Sequence, residues 1–485
     1  MQLKTIAATG FAVTSLFVVP MQAAEIDAKG AAELRSSLTH YLPEKLANSD
    51  FITVQPASRR YEIVVDFSKL IEADAPPDTT VEGLKPMSMF AEPADGGLWT
   101  IESGGRLDVK VRAKVADVFN DFRYSIGNYS YAGLFDPAIT YFRNGEFKAK
   151  DLKLNVTKGG EQVDATFGDM VYVVDTAEGA GGAADIKVNG SLNAFYEKVV
   201  TAGAPPVELH ADSLVFDAGI KGMLLTELRD LVVFVLDHVK KDELAADEQA
   251  RLKDLIRKAL PLMSSLDETI TLNNLRVTTP QGDFSMKSLD YGLQMTGLTN
   301  ATRFGVSVKA REPSVSSAAV PAAFLSLLPK ETEFSFSMPD MNLGGFLNAA
   351  LDQADLSRGE ALSDEQSAEL AKMIFPDGKV TVNFDRVAAR SDAYDVEMTG
   401  QMKTYPDDSK RVSMQATILA RDYDKTIAYF QEAAKAEPQF NQFSFGLMMI
   451  KGFAKADPDG RQRWDIAVAE DGSVEVNGQK IKGAD

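Results

Sequence analysis

Three histidines, His40, His210 and His238, are the side chains of this chain best suited to titrate near neutrality or to bind a metal. No two stand three or four residues apart, the spacing that puts two ligands on one helix face. His40 lies among polar residues of a predicted helix, and His210 lies on the polar side of a predicted strand. His238 ends an apolar helix beside Lys240 and Lys241, where the carbonyl end of the dipole favours a cation. Each therefore reads as structural or solvent-facing. No G-x-S-x-G elbow and no S-x-x-K motif supplies an activated serine. Asp457-Pro458-Asp459-Gly460 resembles the start of a calcium loop, but its glycine falls fourth instead of sixth, and Arg461 and Arg463 follow. Gly179–Ala184 is glycine-rich without the lysine or spacing of a phosphate loop, so it reads as a flexible connection. Carboxylates are plentiful, and sequence does not say which two share a cleft. A carboxylate-dependent hydrolase is therefore the enzymatic alternative. The leading reading is non-enzymatic, with no catalytic residue, no metal site and no cofactor.

Composition narrows the setting. The chain has 485 residues, is 45% apolar and 25% charged, and carries a net charge of −19. That acidity repels nucleic acid, whose recognition needs a basic footprint. There is no cysteine, which excludes disulfides, a lipidated N-terminal cysteine and thiolate metal sites. Exported chains without disulfides point to a bacterial periplasm. Lys4, the apolar run Ile6–Val19, Pro20 and the small pair Ala23-Ala24 read as a signal peptide over residues 1–24. The run is short for a membrane span. The expectation is a periplasmic protein with no transmembrane segment after cleavage, and the alternative is a retained anchor.

The elements that would position any site follow a recurring figure. Two alternating apolar residues are followed by a slip of one residue, then two more. Phe147-Ala149-Leu152-Leu154, Ile270-Leu272-Leu275-Val277 and Phe336-Met338-Met341-Leu343 fit it. Leu209-Ala211-Leu214-Phe216 and Val382-Phe384-Val387-Ala389 fit more loosely. A strand has period two, so each slip calls for a bulge or bend. Most of these starts lie roughly 60 residues apart, as a repeat would require. Around Thr269–Leu298 the figure runs strand, Pro280-Gln281-Gly282 turn, strand.

Elsewhere, Ala28–Leu42 reads as a helix with Ala31, Leu34, Leu38 and Leu42 inward. Arg60–Leu70 and Arg106–Val115 alternate as strands, and Ala73–Pro93, rich in proline and acid, reads as a long loop. Phe119–Phe142 holds eight aromatic residues, suited to core packing or to a ligand wall. Leu192–Val200 is predicted as a short amphipathic helix, and Gly222–Lys241 as a strong one. Ser363-Asp364-Glu365-Gln366 is a capping box, so a helix should start there. Asp424–Lys435 and Pro438–Ala454 read as helices, the second with Phe440, Phe443, Leu447 and Ala454 on one face. Asp471-Gly472 between alternating apolar residues predicts a closing hairpin.

The fold expected is α+β: a large curved antiparallel sheet of strand-bulge-strand units, with helices inserted between strands and packed on it. Its divisions are a signal peptide (1–24), an N-terminal α+β region (25–145), a repeated sheet region with helical insertions (146–400), and C-terminal helices with a hairpin (401–485). At the repeated units and the closing WDIAVAEDGSVEVNGQK hairpin, the chain is similar to the YdgA-like and AsmA-like envelope proteins of Gram-negative bacteria, over about residues 146–485. The AsmA-like resemblance implies an elongated sheet with a hydrophobic groove serving lipids. The chain departs from the long AsmA-like members in its shortness and in the expectation that no transmembrane helix is retained. Candidate groove residues are Leu272, Leu275, Val277, Phe284, Met286, Leu293 and Met295; ordinary core is the plainer role for each. The partners expected are a lipid or other amphiphile, or an envelope protein if the chain is a structural or assembly factor.

Overall fold

The computed structural model describes residues 26–484, apart from 40–41, 43–46, 70–77, 116–117, 138, 140, 239–240, 242, 357–360, 376–377 and 407. The predicted signal segment and His40 lie outside the described residues. The fold is α+β and dominated by antiparallel sheet, with twenty-two strands and eight α-helices among the described residues. Two compact units divide it: Met1–Ser265 with Ala354–Ala361, and Leu266–Gln353 with Leu362–Asp485.

The first unit opens with helix α1 (Ala28–Thr39) and four short strands: β1 (Ile52–Ala57), β2 (Arg60–Val65), β3 (Thr80–Glu82) and β4 (Met87–Pro93). Six long strands follow: β5 (Trp99–Val115), β6 (Val118–Asp136), β7 (Tyr141–Lys158), β8 (Glu161–Glu178), β9 (Ala184–Thr201) and β10 (Val207–Met223). At 17 to 19 residues each, they reach about 60 Å. Each pairs with the next, so β5 to β10 form a meander. Gly159 and Gly160, with φ of 57° and 90°, make the tight β7–β8 turn that side chains would strain. The predicted inner face of α1 is buried: Ala31, Leu34 and Leu38 pack with Ile52, Tyr61, Ile63, Trp99, Ile101 and Phe135.

Two readings of the sequence are corrected here. Leu192–Val200 is strand, part of β9. Its apolar residues Leu192, Phe195 and Val199 imitate helical spacing because Ala194 takes a left-handed φ of 53°. That turns one step of the strand alternation from two residues into three. Ala73–Pro93 is not one long loop. β3 and β4 both lie on β5 in a single register, Glu82 opposite Lys110 and Met89 opposite Ser103, and residues 83–86 between them leave the ladder. The prolines there, Pro86 among them, mask the strands on either side.

Pairing steps over a residue at one level across the six long strands. The positions are Arg106, Gly127, Asp151, Gly168, Ala194 and Asp212. Asp151 is left-handed as well, with a φ of 55°. Ile126, Ala149 and Leu152 are buried at this level, with Leu107, Tyr129, Phe147, Phe167 and Met170 packed on them. Helices α2 (Leu225–His238) and α3 (Ala246–Ala259) complete the unit.

The second unit runs β11 (Ser265–Thr279), β12 (Gly282–Thr296), β13 (Thr302–Arg311), β14 (Ser314–Ser316), α4 (Ala322–Leu325), β15 (Glu331–Met341), α5 (Leu343–Gln353) and α6 (Asp364–Lys372). It continues with β16 (Val380–Arg390), β17 (Asp395–Tyr405), β18 (Asp408–Arg421), α7 (Tyr423–Ala433), α8 (Phe440–Lys451), β19 (Lys455–Ala456), β20 (Gln462–Val468), β21 (Val474–Val476) and β22 (Gln479–Lys482). Strands pair in the order β12, β13, β15, β16, β17, β18, β20, β21, β22. The Ser363 hydroxyl accepts from the Gln366 N–H, and the Gln366 side chain accepts from the Ser363 N–H, which starts α6 as a capping box does. The closing hairpin turns at Gly472, with Val468 opposite Val474. Among the described residues no helix is long and apolar enough to cross a membrane.

Candidate ligand-binding face

Register places apolar side chains from distant parts of the second unit in continuous rows. Partners across an antiparallel ladder point to the same face. One row runs Tyr291, Val308, Phe334, Val387, Met398, Ile418, Trp464. The adjacent row runs Leu293, Val306, Phe336, Phe384, Gly400, Ala416, Ile466, Val476. β16 contributes Val387 and Phe384, three residues apart, because its register steps over Asp385 and Arg386. Phe336 and Phe384 meet edge to face at 5.7 Å. A Cβ at Gly400 would stand 2.4 Å from the Gln415 carbonyl oxygen, so only glycine fits that place in the row.

One end of these rows is covered. Trp464 is 3% exposed and packs with Ala420, Tyr423, Ile427, Leu447 and Phe453, from β18, α7, α8 and the segment after α8. Its indole N–H donates to the Ile450 carbonyl, and the Tyr423 hydroxyl donates to the Leu447 carbonyl. Burial raises the Tyr423 phenol above its ordinary value. The other end is open: Phe334 is 44% and Tyr291 37% exposed. An apolar sheet face that stays half in water is unusual in a domain whose layers normally cover one another.

The opposite face is charged. Lys309, Glu333, Arg386, Glu397, Arg461, Asp459, Arg421, Asp395 and Arg390 form a chain of ion pairs of alternating sign. Most of these groups line a shallow cavity of about 730 Å³. Hydrogen bonds to Asp459 and Glu397 raise the Arg461 guanidinium further above its already high range. The aspartates of the Asp457–Gly460 turn are taken up by Arg461 and Arg463.

All seven predicted groove residues are half-buried. Leu272, Leu275 and Val277 lie on β11, and Phe284, Met286, Leu293 and Met295 on β12, the two strands joined by the Pro280-Gln281 turn. Leu293 and Met295 share the face of Tyr291 and meet Val306 and Phe304 on β13; Phe284 meets Val315 on β14. Phe334, the most open member of the rows, was not among them. Its alternation with Phe336 and Met338 was visible in sequence, but its lack of cover was not. Of the eight aromatics between Phe119 and Phe142, Phe135 and Phe142 are buried in the first unit's core, and Phe119, Phe122 and Tyr124 are exposed.

The two described histidines have ordinary partners. His210 is exposed on β10 and lies against the Tyr196 ring, centroids 4.6 Å apart. His238 stacks on Phe234 at 4.0 Å, with Nδ1 2.7 Å from the Phe234 carbonyl and Nε2 3.3 Å from Glu248. Glu248 accepts from Lys241 and from the Ala245 N–H, and these hydrogen bonds pull its carboxyl down to about 2. Comparison with protein-family models, with curated proteins and with solved structures returns no match to the chain.

Proposed function

We propose that this chain is an exported, non-enzymatic envelope protein that holds a lipid or other amphiphile along a curved antiparallel sheet. In this reading the strand-bulge-strand figure is the unit from which the sheet is made, with the helices inserted between strands and packed on it. The observation that carries the proposal is the pair of apolar rows in the second unit, buried at Trp464 and open at Phe334 and Tyr291. An acyl chain laid over the open end would remove that surface from water, and the charged reverse face would stay solvated. The periplasmic address rests on the N-terminal apolar run, and the resemblance to AsmA-like proteins points to the same ligand class.

The test is purification from the periplasm without detergent, then solvent extraction and mass spectrometry. Stoichiometric recovery of one class of amphiphile is the expected result, and repeated preparations free of lipid would overturn the reading.

A second reading, an assembly factor acting through protein contacts, is favoured by α8. There Phe443, Phe445, Met449 and Ile450 are 50 to 61% exposed. Photo-crosslinking from position 445 in cells would trap a protein partner if this reading holds, and lipid alone if it does not.

A further inference from the structure

We infer that the first unit carries a separate site, a window in its sheet that binds a single-chain anionic amphiphile. β3 and β4 keep one register on β5, yet residues 83–86 between them leave the ladder. The space opposite β5 at this level is a cavity of about 930 Å³, within the range that takes a small apolar ligand. It coincides with the level at which pairing steps over Arg106, Gly127 and Asp151, so its walls draw on both faces of the sheet.

The two sets of walls differ in chemistry. Leu107, Ile126, Tyr129 and Phe147 offer an apolar lining, with Tyr129 stacked on Phe147 at 6.2 Å. Lys85, Arg106 and Lys153 stand on the same cavity, and all three are exposed. Arg123 also lines it but is held by both oxygens of Asp108, at 2.9 and 2.7 Å. Those hydrogen bonds hold the Asp108 carboxyl below its usual range. Among the described residues Asp151 is then the one remaining lining acid, set against three cations. The surroundings share this bias: from Arg106 to Lys158 there are ten lysines and arginines to six acids, in a chain of net charge −19. A cationic rim on an apolar slot selects an anionic head on one alkyl chain, either a carboxylate or a phosphate monoester. None of these residues belongs to the apolar rows of the second unit, so the two sites stand independently.

The test uses the full-length, delipidated protein and the fluorescent fatty-acid analogue dansyl-undecanoate. Dodecanoate and dodecyl phosphate should displace the probe, and dodecyltrimethylammonium should not. The double variant Arg106→Glu/Lys153→Glu should lose affinity by about tenfold or more, the scale of a lost charge-assisted contact. Probe on the second unit's face would show neither the charge selectivity nor the response to this variant. A parallel sedimentation with phosphatidylglycerol vesicles separates two sources of the same head: charge-dependent retention assigns a bilayer lipid, and displacement without retention assigns a free amphiphile. Equal displacement by the cationic competitor would overturn the inference. So would unchanged affinity in a double variant whose circular dichroism is native.

Discussion

Replacing Phe334 by serine tests the proposed ligand face most directly. An aromatic side chain carries roughly 200 Å² of surface. At 44% exposure, about 90 Å² of Phe334 remains open for a ligand to cover. At about 25 cal/mol per Å², covering it contributes about 2 kcal/mol, or about 30-fold in affinity. The part already packed, against Val308 and Val387, contributes to folding instead, at roughly 3 kcal/mol by the same coefficient. Phe334→Ser should therefore weaken binding of the neutral probe N-phenyl-1-naphthylamine about 30-fold and lower the urea midpoint, while near-ultraviolet circular dichroism stays native below the transition. Tyr291→Ser should act in the same direction and slightly less, because Tyr291 is 37% exposed. An affinity within twofold of wild type, in a variant that is demonstrably folded, would show that the open aromatic surface is not where an amphiphile sits.

Other outcomes follow from single features. Ala194→Gly should raise stability by about 1 kcal/mol in urea unfolding, because the left-handed φ of 53° strains any side chain, and Ala194→Val should lower it. Glu248 has its folded pKa depressed to about 2, so its contribution is complete above its unfolded value and fades as pH falls toward 2. Glu248→Gln should thus lower Tm at pH 7 and match wild type near pH 2 in calorimetric scans. Trp464→Ala should cost about 3–5 kcal/mol. The chain's other tryptophan, Trp99, lies in the first unit, so the fluorescence of Trp464→Phe should follow that unit alone.

What sequence makes legible depends on the range of the interaction. The capping box at Ser363, the Asp471-Gly472 hairpin and the unbroken alternation from Leu107 to Val115 are local, and each can be read from a few neighbours. Leu192–Val200 misleads because one left-handed residue, Ala194, gives a strand the spacing of a helix. Burial is harder still. Phe440 and Phe443 share a predicted helix face, yet Phe440 is 2% and Phe443 60% exposed, because cover comes from elements far away in the chain, such as Phe324 of α4 against Phe440. The ion pairs joining Lys309, Glu333, Arg386, Glu397 and Arg461 likewise exist only after register has set strands side by side. A groove can thus be proposed from periodicity, but which part of it stays open is decided by packing.

The chain of nine alternating charges gives the second unit's sheet a sidedness. Laying another sheet or a greasy helix over that surface would strip water from every one of those groups, at several kcal/mol apiece before any pairing is recovered. On the proposed reading an amphiphile would therefore dock on the oily side, and a second copy of the chain stacking on the charged side would meet a lattice already matched within itself.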